Sequence, residues 1–127
     1  MIRLHIFLLL LLLCLISNLP RQARAEYLIE PIADGLNFPW SLEFLDDQEL
    51  IVTELGGTLR HIDTEGNISK PIPGSPTVYR AGQGGLFDVI RHPNFRETKQ
   101  IYLSYASGDE EANATTVARA TWHKTGL

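Results

Sequence analysis

Residues Glu49 to Asp63 read ELIVTELGGTLRHID, and this stretch decides the fold class. Leu50, Ile51 and Val52 are consecutive apolar residues, two of them β-branched, as in an interior strand buried on both faces. Gly56-Gly57 then turns the chain, because glycine reaches positive φ without steric cost. Thr58 to Asp63 runs back as the antiparallel partner. Upstream, Ser41 to Leu45 forms a first strand, joined to the second through Asp46-Asp47-Gln48. Downstream, Asp63-Thr64-Glu65-Gly66-Asn67 turns the chain toward Ile68 to Ile72. That segment is a short outer strand blunted by Pro71 and Pro73, as exposed edges are. Four antiparallel strands in sequence make one sheet.

After the connection Pro73 to Gln83 the same order restarts. Leu86 to Ile90 is a strand, His92-Pro93-Asn94-Phe95 a turn, and Gln100 to Ala106 and Thr115 to Trp122 are two further strands. Ile51-Val52 aligns with Tyr102-Leu103 at an offset of 51 residues, slightly beyond the roughly 40 to 50 of common propeller blades. No stretch of ten or more residues carries helical periodicity, so the fold class is all-β, and the repeat points to a β-propeller. The strands account for one blade and most of a second. A ring needs about 4 to 8 blades of four strands, so the expected reading is the N-terminal portion of a longer propeller; the alternatives are a truncated gene and a small sandwich.

Residues 1–25 read as a secretory signal peptide. Arg3 supplies positive charge, Ile6 to Ile16 is an apolar run, and Ala23-Arg24-Ala25 offers a small-x-small cleavage pattern. The run is shorter than the ~20 residues of a membrane-spanning helix and a polar stretch follows it at once, so no membrane anchor is expected after cleavage. Lipoprotein processing at Cys14 is the rival, but Leu13 stands where a small residue is wanted. Cleavage removes Cys14, the sole cysteine, and leaves a mature chain, 26–127, without disulfides in the periplasm or outside the cell. It also removes Arg3, Arg21 and Arg24, leaving eight basic residues against fifteen acidic ones, a net charge of −7. Such a surface repels nucleic acid and anionic lipid, which need clustered Lys and Arg.

Four ordered motifs carry a family likeness. They are Phe38-Pro39-Trp40-Ser41-Leu42-Glu43-Phe44-Leu45, Leu50-Ile51-Val52-Thr53-Glu54, Gly82-Gln83-Gly84-Gly85-Leu86-Phe87-Asp88-Val89 and His92-Pro93-Asn94-Phe95. With these the chain resembles the glucose/sorbosone dehydrogenase family, and within it the bacterial periplasmic aldose sugar dehydrogenases. The resemblance implies a six-bladed propeller that binds pyrroloquinoline quinone (PQQ) and calcium and oxidises aldoses at the anomeric carbon to lactones. It also implies that the glutamine of the Gly-Gln-Gly-Gly turn sits beside quinone and sugar, which assigns Gln83 as a cofactor-binding residue. The family's catalytic histidine, quinone-binding arginines and calcium ligands belong to later blades, so no catalytic or metal-binding residue is assigned before Leu127. Two departures stand out. Asp46-Asp47-Gln48-Glu49 replaces the usual Pro-Asp-Gly turn, changing the hairpin geometry, and Ala81 stands where glycine is common, stiffening the loop that carries Gln83.

Chemistry supports Gln83 beside the resemblance. An amide on a glycine-flanked loop both donates and accepts, and bare backbone lets a ligand approach; the bland reading is an ordinary turn between blades. Gly82-Gln83-Gly84-Gly85 lacks the Gly-x-Gly-x-x-Gly spacing and precedes a strand rather than a helix, which argues against a dinucleotide site. His61, His92 and His123 are scattered without metal-ligand spacing, and His92, placed before Pro93 in a turn, is expected to be structural. No Gly-x-Ser-x-Gly elbow or activated thiol supports a hydrolase. Asp109-Glu110-Glu111, near Asn113, reads as a solvated hairpin tip. Asn67-Ile68-Ser69 and Asn113-Ala114-Thr115 fit the glycosylation sequon, relevant only in a eukaryotic secretory path. Tyr102, Tyr105 and Trp122 are expected to pack between blades. Two functions compete: a quinone-dependent aldose dehydrogenase whose N-terminal segment is inactive alone, and a non-catalytic secreted propeller that binds without reacting.

Overall fold

The computed structural model describes residues 27–45 and 48–127. The signal peptide reading of residues 1–25 and the pair Asp46-Asp47 lie outside the described residues. Among the described residues no helix is long and apolar enough to cross a membrane.

Among the described residues six strands form two antiparallel sheets. β1 (Pro39–Phe44), β2 (Leu50–Glu54) and β3 (Thr58–Ile62) make the first, in the order β1-β2-β3. β4 (Leu86–Arg91), β5 (Gln100–Gly108) and β6 (Asn113–Thr121) make the second, in the order β4-β5-β6. Each sheet grows by consecutive hairpins, as a propeller blade does, and the all-β propeller class expected from the repeat is the class observed. β2 lies in the middle of its sheet and every one of its residues is buried, as its apolar run requires.

The pleat divides β2 between two cores. Ile51 faces the second sheet and joins Leu45, Leu59 and Ile72 with Leu86, Val89, Phe95, Ile101, Leu103 and Trp122 in one cluster. Leu50 and Val52 face the other way and, with Ile62, are covered by Ala33, Leu36 and Ile68. The remaining outward faces are apolar too: Leu42 and Phe44 on β1, and Ile90 and Val117 on the second sheet, are all more than half exposed. Blades stack through such faces.

The 51-residue repeat has a structural counterpart. Trp40 interrupts the pairing of β1 with β2, and Phe87-Asp88 interrupts that of β4 with β5, so each leading strand carries a β-bulge. In both sheets a hydroxyl on the neighbouring strand catches the amide that the bulge frees. Thr53 Oγ1 accepts from Ser41 N at 3.0 Å, and Ser104 Oγ accepts from Asp88 N at 3.1 Å. Thr53 and Ser104 are 51 residues apart. Thr53 does more, because its hydroxyl donates to Phe87 O at 2.5 Å and so ties the two bulges together. The Trp40 and Phe87 rings meet above it, their centroids 6.0 Å apart.

Two expectations change in detail. The outer strand over Ile68 to Ile72 is an extended segment held to β3 by one bridge, Ile62 to Ile68, and by Ser69 N to His61 O and Ile72 N to Leu59 O. Pro71 lacks the amide a continuous ladder needs. The turn after His92 contains one helical turn, α1 (Phe95–Thr98), closed by Lys99 at φ +52. Four residues are too few to show a helical period, and what holds α1 is Phe95, buried beneath the Lys99 ammonium and the Arg91 guanidinium. Tyr102 lies on the outward face of its sheet, stacked on His92 with centroids 6.2 Å apart, whereas Tyr105 packs against the shared core and Trp122 is buried within it. At the altered first hairpin, Gln48 takes φ +62, the conformation glycine adopts without strain.

A polar clasp closes the end of the shared core. Glu49 accepts from Lys124 Nζ at 2.7 Å through Oε1 and meets His61 Nε2 at 2.9 Å through Oε2. The Lys124 hydrogen bond, then the His61 contact, hold the Glu49 carboxyl below its ordinary range against the opposing effect of burial. A depressed folded-state value means the clasp stabilises above the unfolded carboxylate range and fades as pH falls through the lowered value. Glu49→Gln is therefore expected to lower the urea midpoint at pH 7, with the difference from wild type shrinking below about pH 4. Equal differences at pH 7 and pH 3.5 would contradict this account.

Candidate functional site

The segment Tyr79 to Gly85 leaves the second sheet and returns to it at one residue. Tyr79 N donates to Ala106 O and Ala106 N donates to Gly85 O, both at 2.8 Å, so both feet of the loop stand on Ala106. A compact surface loop with adjacent ends is a common carrier of function. Inside it Gly84 N donates to Ala81 O at 2.7 Å. The Arg80 guanidinium fills the centre, Nη1 donating to Gly82 O at 2.7 Å and to Gly84 O at 3.1 Å.

The glycines are required by this geometry. A Cβ on Gly84 would sit 2.7 Å from Tyr79 O, and one on Gly85, at φ +152, would strike the Leu55 carbonyl oxygen. Leu55 O accepts from Leu86 N at 3.0 Å, which fixes the base of the loop to the first sheet. Gly82 differs: its φ is +54 but the space around it is open. Ala81 has ordinary negative φ and serves only through its carbonyl, so the departure from glycine there leaves the turn intact.

Gln83 stands at the tip, exposed, and its side-chain amide makes no hydrogen bond within the described residues. The turn is thus held by backbone and Arg80 hydrogen bonds while the Gln83 amide stays exposed. Nearby, Phe38 O accepts from Leu55 N at 3.0 Å, and Phe38 itself sits at φ +49 with its ring 71% exposed. Asn37 N donates to Glu54 Oε1 at 2.8 Å, and Glu54, almost wholly buried, is neutralised by Arg60 Nε at 2.9 Å on Oε2. That buried carboxylate holds the chain in the strained conformation preceding β1. Sequence reasoning passed over Arg80, Glu54 and Phe38, because nothing in composition or periodicity marks a guanidinium aimed at backbone or a non-glycine residue at positive φ.

The other singled-out residues do not converge on Gln83. His92 follows β4 while Gln83 precedes it, about 20 Å away along a six-residue strand. His92 Nδ1 accepts from Asn94 N at 3.0 Å, shaping the turn. A cavity of about 390 Å³ lies at this far end, lined by Glu43, Arg91, His92 and Phe95 among others. Its Arg91 charge is met by Glu43 Oε1 at 3.2 Å. His61 is buried in the clasp with Glu49. Asp109 Oδ1 accepts from Glu111 N and Ala112 N, an exposed turn cap as expected of a hairpin tip. Asn67 Nδ2 donates to Asp63 and Glu65. Among the described residues no group of three or more His, Cys, Asp or Glu side chains is placed to hold a metal ion.

Comparison with known proteins agrees with this architecture. The profile of the glucose/sorbosone dehydrogenase family matches residues 36–126. The chain is 40% identical over 111 residues to the aldose sugar dehydrogenase YliI of Escherichia coli strain K12, covering 87% of this chain and 30% of that protein. The crystal structure of a glucose dehydrogenase superposes with a TM-score of 0.70 at 40% identity, over 74% of this chain and 28% of the other. The PQQ-bound form of an aldose sugar dehydrogenase from Streptomyces coelicolor shares the fold, with a TM-score of 0.69 at 23% identity over 77% of this chain and 28% of the other. The chain thus spans about 30% of the length of the relatives it matches. The match runs from the segment that precedes β1 to the tail after β6, and on it the chain belongs to the glucose/sorbosone dehydrogenase family.

Proposed function

We propose that residues 26–127 are the N-terminal portion of a secreted, quinone-dependent dehydrogenase that oxidises aldose sugars at the anomeric carbon to lactones, with Gln83 binding the cofactor. The observation that carries this reading is the exposed amide of Gln83, which has no partner among the described residues and stands at the tip of a turn held by Gly84 N to Ala81 O and by Arg80 on Gly82 O and Gly84 O. The residues present fit a planar polar ligand: the amide donates and accepts, and the open space around Gly82 leaves the approach clear. When bound, the quinone supplies the acceptor for the hydride of the sugar's anomeric C–H bond. This chain's share is orientation of the ligand, and no calcium ligands are assigned to it. The reading is supported by a relative that is an aldose sugar dehydrogenase and by a protein of the same fold in its PQQ-bound form. The leader pattern supports export to the periplasm or outside the cell.

The test uses the longest secreted product of the gene, reconstituted with PQQ and calcium and assayed by dye reduction with a panel of aldoses. Aldose-dependent dye reduction is expected. Gln83→Ala is expected to raise the dissociation constant for PQQ about tenfold, the loss of one or two hydrogen bonds to a polar ligand. Failure to reduce dye with any aldose would leave the non-catalytic binding module as the better reading. An unchanged PQQ affinity in the variant would remove Gln83 from the site.

A further inference from the structure

We propose that Arg80 is a positioning residue for Gln83: its guanidinium locks the loop in the one shape that presents the amide to the cofactor, without touching the cofactor itself. The inference rests on the reading of Gln83 given above. Arg80 is exposed, yet it makes no ion pair among the described residues, and its Nη1 turns inward to Gly82 O and Gly84 O on either side of Gln83. The two carbonyls flank the residue whose side chain matters. The bond to Gly82 O fixes the peptide plane before Gln83, Gly84 N on Ala81 O fixes the plane after it, and the bond to Gly84 O holds the next; the direction of the Gln83 Cα–Cβ bond follows.

The loop needs such a device. Gly82, Gly84 and Gly85 have more accessible backbone conformations than any other residue type, so a turn of this composition is mobile unless bonded from within. The two bonds of the feet to Ala106 hold residues 79 and 85, and the Gly84 N to Ala81 O bond closes the turn, but neither reaches the carbonyl of Gly82. Only Arg80 does. Hydrogen bonds from a charged donor are the strong class, and a planar guanidinium lets one group serve two acceptors with little further loss of freedom. A ligand meeting an ordered loop is spared the cost of ordering it.

A double-mutant cycle on the longest gene product tests this, with PQQ binding read by equilibrium dialysis and loop order by amide hydrogen exchange. Arg80→Ala is expected to raise the PQQ dissociation constant about fivefold to tenfold and to speed exchange at Gly82, Gln83 and Gly84, with Tm unchanged. In the Gln83→Ala background the same substitution is expected to change affinity less than twofold, since a residue acting through another has no effect once that other is gone. An equal loss of affinity in both backgrounds would overturn the inference, showing direct contact with the ligand. So would unaltered exchange in the loop. Arg80→Lys guards against a general charge effect, and full affinity in that variant together with fast exchange would also overturn it. If Gln83→Ala alone leaves affinity intact while Arg80→Ala lowers it, the reading of Gln83 fails and the positioning role fails with it. If only Arg80→Ala is silent, the positioning role alone fails.

Discussion

Thr53→Val is expected to destabilise the fold by about 2 to 4 kcal/mol, although the substitution is nearly isosteric. The side chain is wholly buried and its hydroxyl serves both sheets, accepting from Ser41 N and donating to Phe87 O. The hydroxyl has one proton, and the 2.5 Å contact to Phe87 O takes it in preference to Ser41 O at 3.3 Å. Valine keeps the packing but leaves a bulge amide and a bulge carbonyl without partners, and unsatisfied buried groups each cost about 1 to 3 kcal/mol. Equilibrium urea unfolding measures the loss, and Thr53→Ser, which retains the hydroxyl, should recover most of it. A valine variant within about 0.5 kcal/mol of wild type would show that the bulges do not depend on this bond. Ser104→Ala supplies the internal comparison. Ser104 occupies the repeat-equivalent position and catches Asp88 N, but it donates to no second sheet, so its loss should be smaller.

Gly85→Ala is expected to be worse, about 3 kcal/mol or more, while Gly82→Ala in the same loop should cost about 1 kcal/mol. Both glycines have positive φ, and the difference between them is space. The new Cβ at Gly85 would drive into the Leu55 carbonyl oxygen and lie 2.8 Å from Leu55 Cδ1, whereas nothing lies within 4 Å of one at Gly82. Relief at Gly85 requires parting Leu55 O from Leu86 N and lifting Gly85 O from Ala106 N. That unseats the foot of the loop and opens the junction between sheets. Thermal unfolding of the two variants gives the ranking, and a Gly85→Ala variant as stable as Gly82→Ala would refute the steric account.

Much of this was legible from residues alone. The strands, the Gly56-Gly57 hairpin and the restart of the pattern after Gln83 depend on neighbours in sequence: β-branched runs favour strands and glycine favours turns whatever lies across the molecule. Even the divergent 51-residue offset proved meaningful, since it joins Thr53 to Ser104. The edge at Ile68 to Ile72 was overestimated because proline's missing donor outweighs apolar content, and α1 was missed because its stability comes from Phe95 being buried, which a four-residue string does not reveal.

Strand order and turn positions were written in the chain, as was the glycine-flanked turn on which Gln83 stands. The Arg80 clamp, the Thr53 bridge, the Glu54 hold on Asn37 and the Glu49 clasp were decided only in three dimensions. Each joins a side chain to a backbone atom or charge whose identity carries no signal in the sequence, because every residue has the same carbonyl and amide and only the folded geometry selects which of them is met.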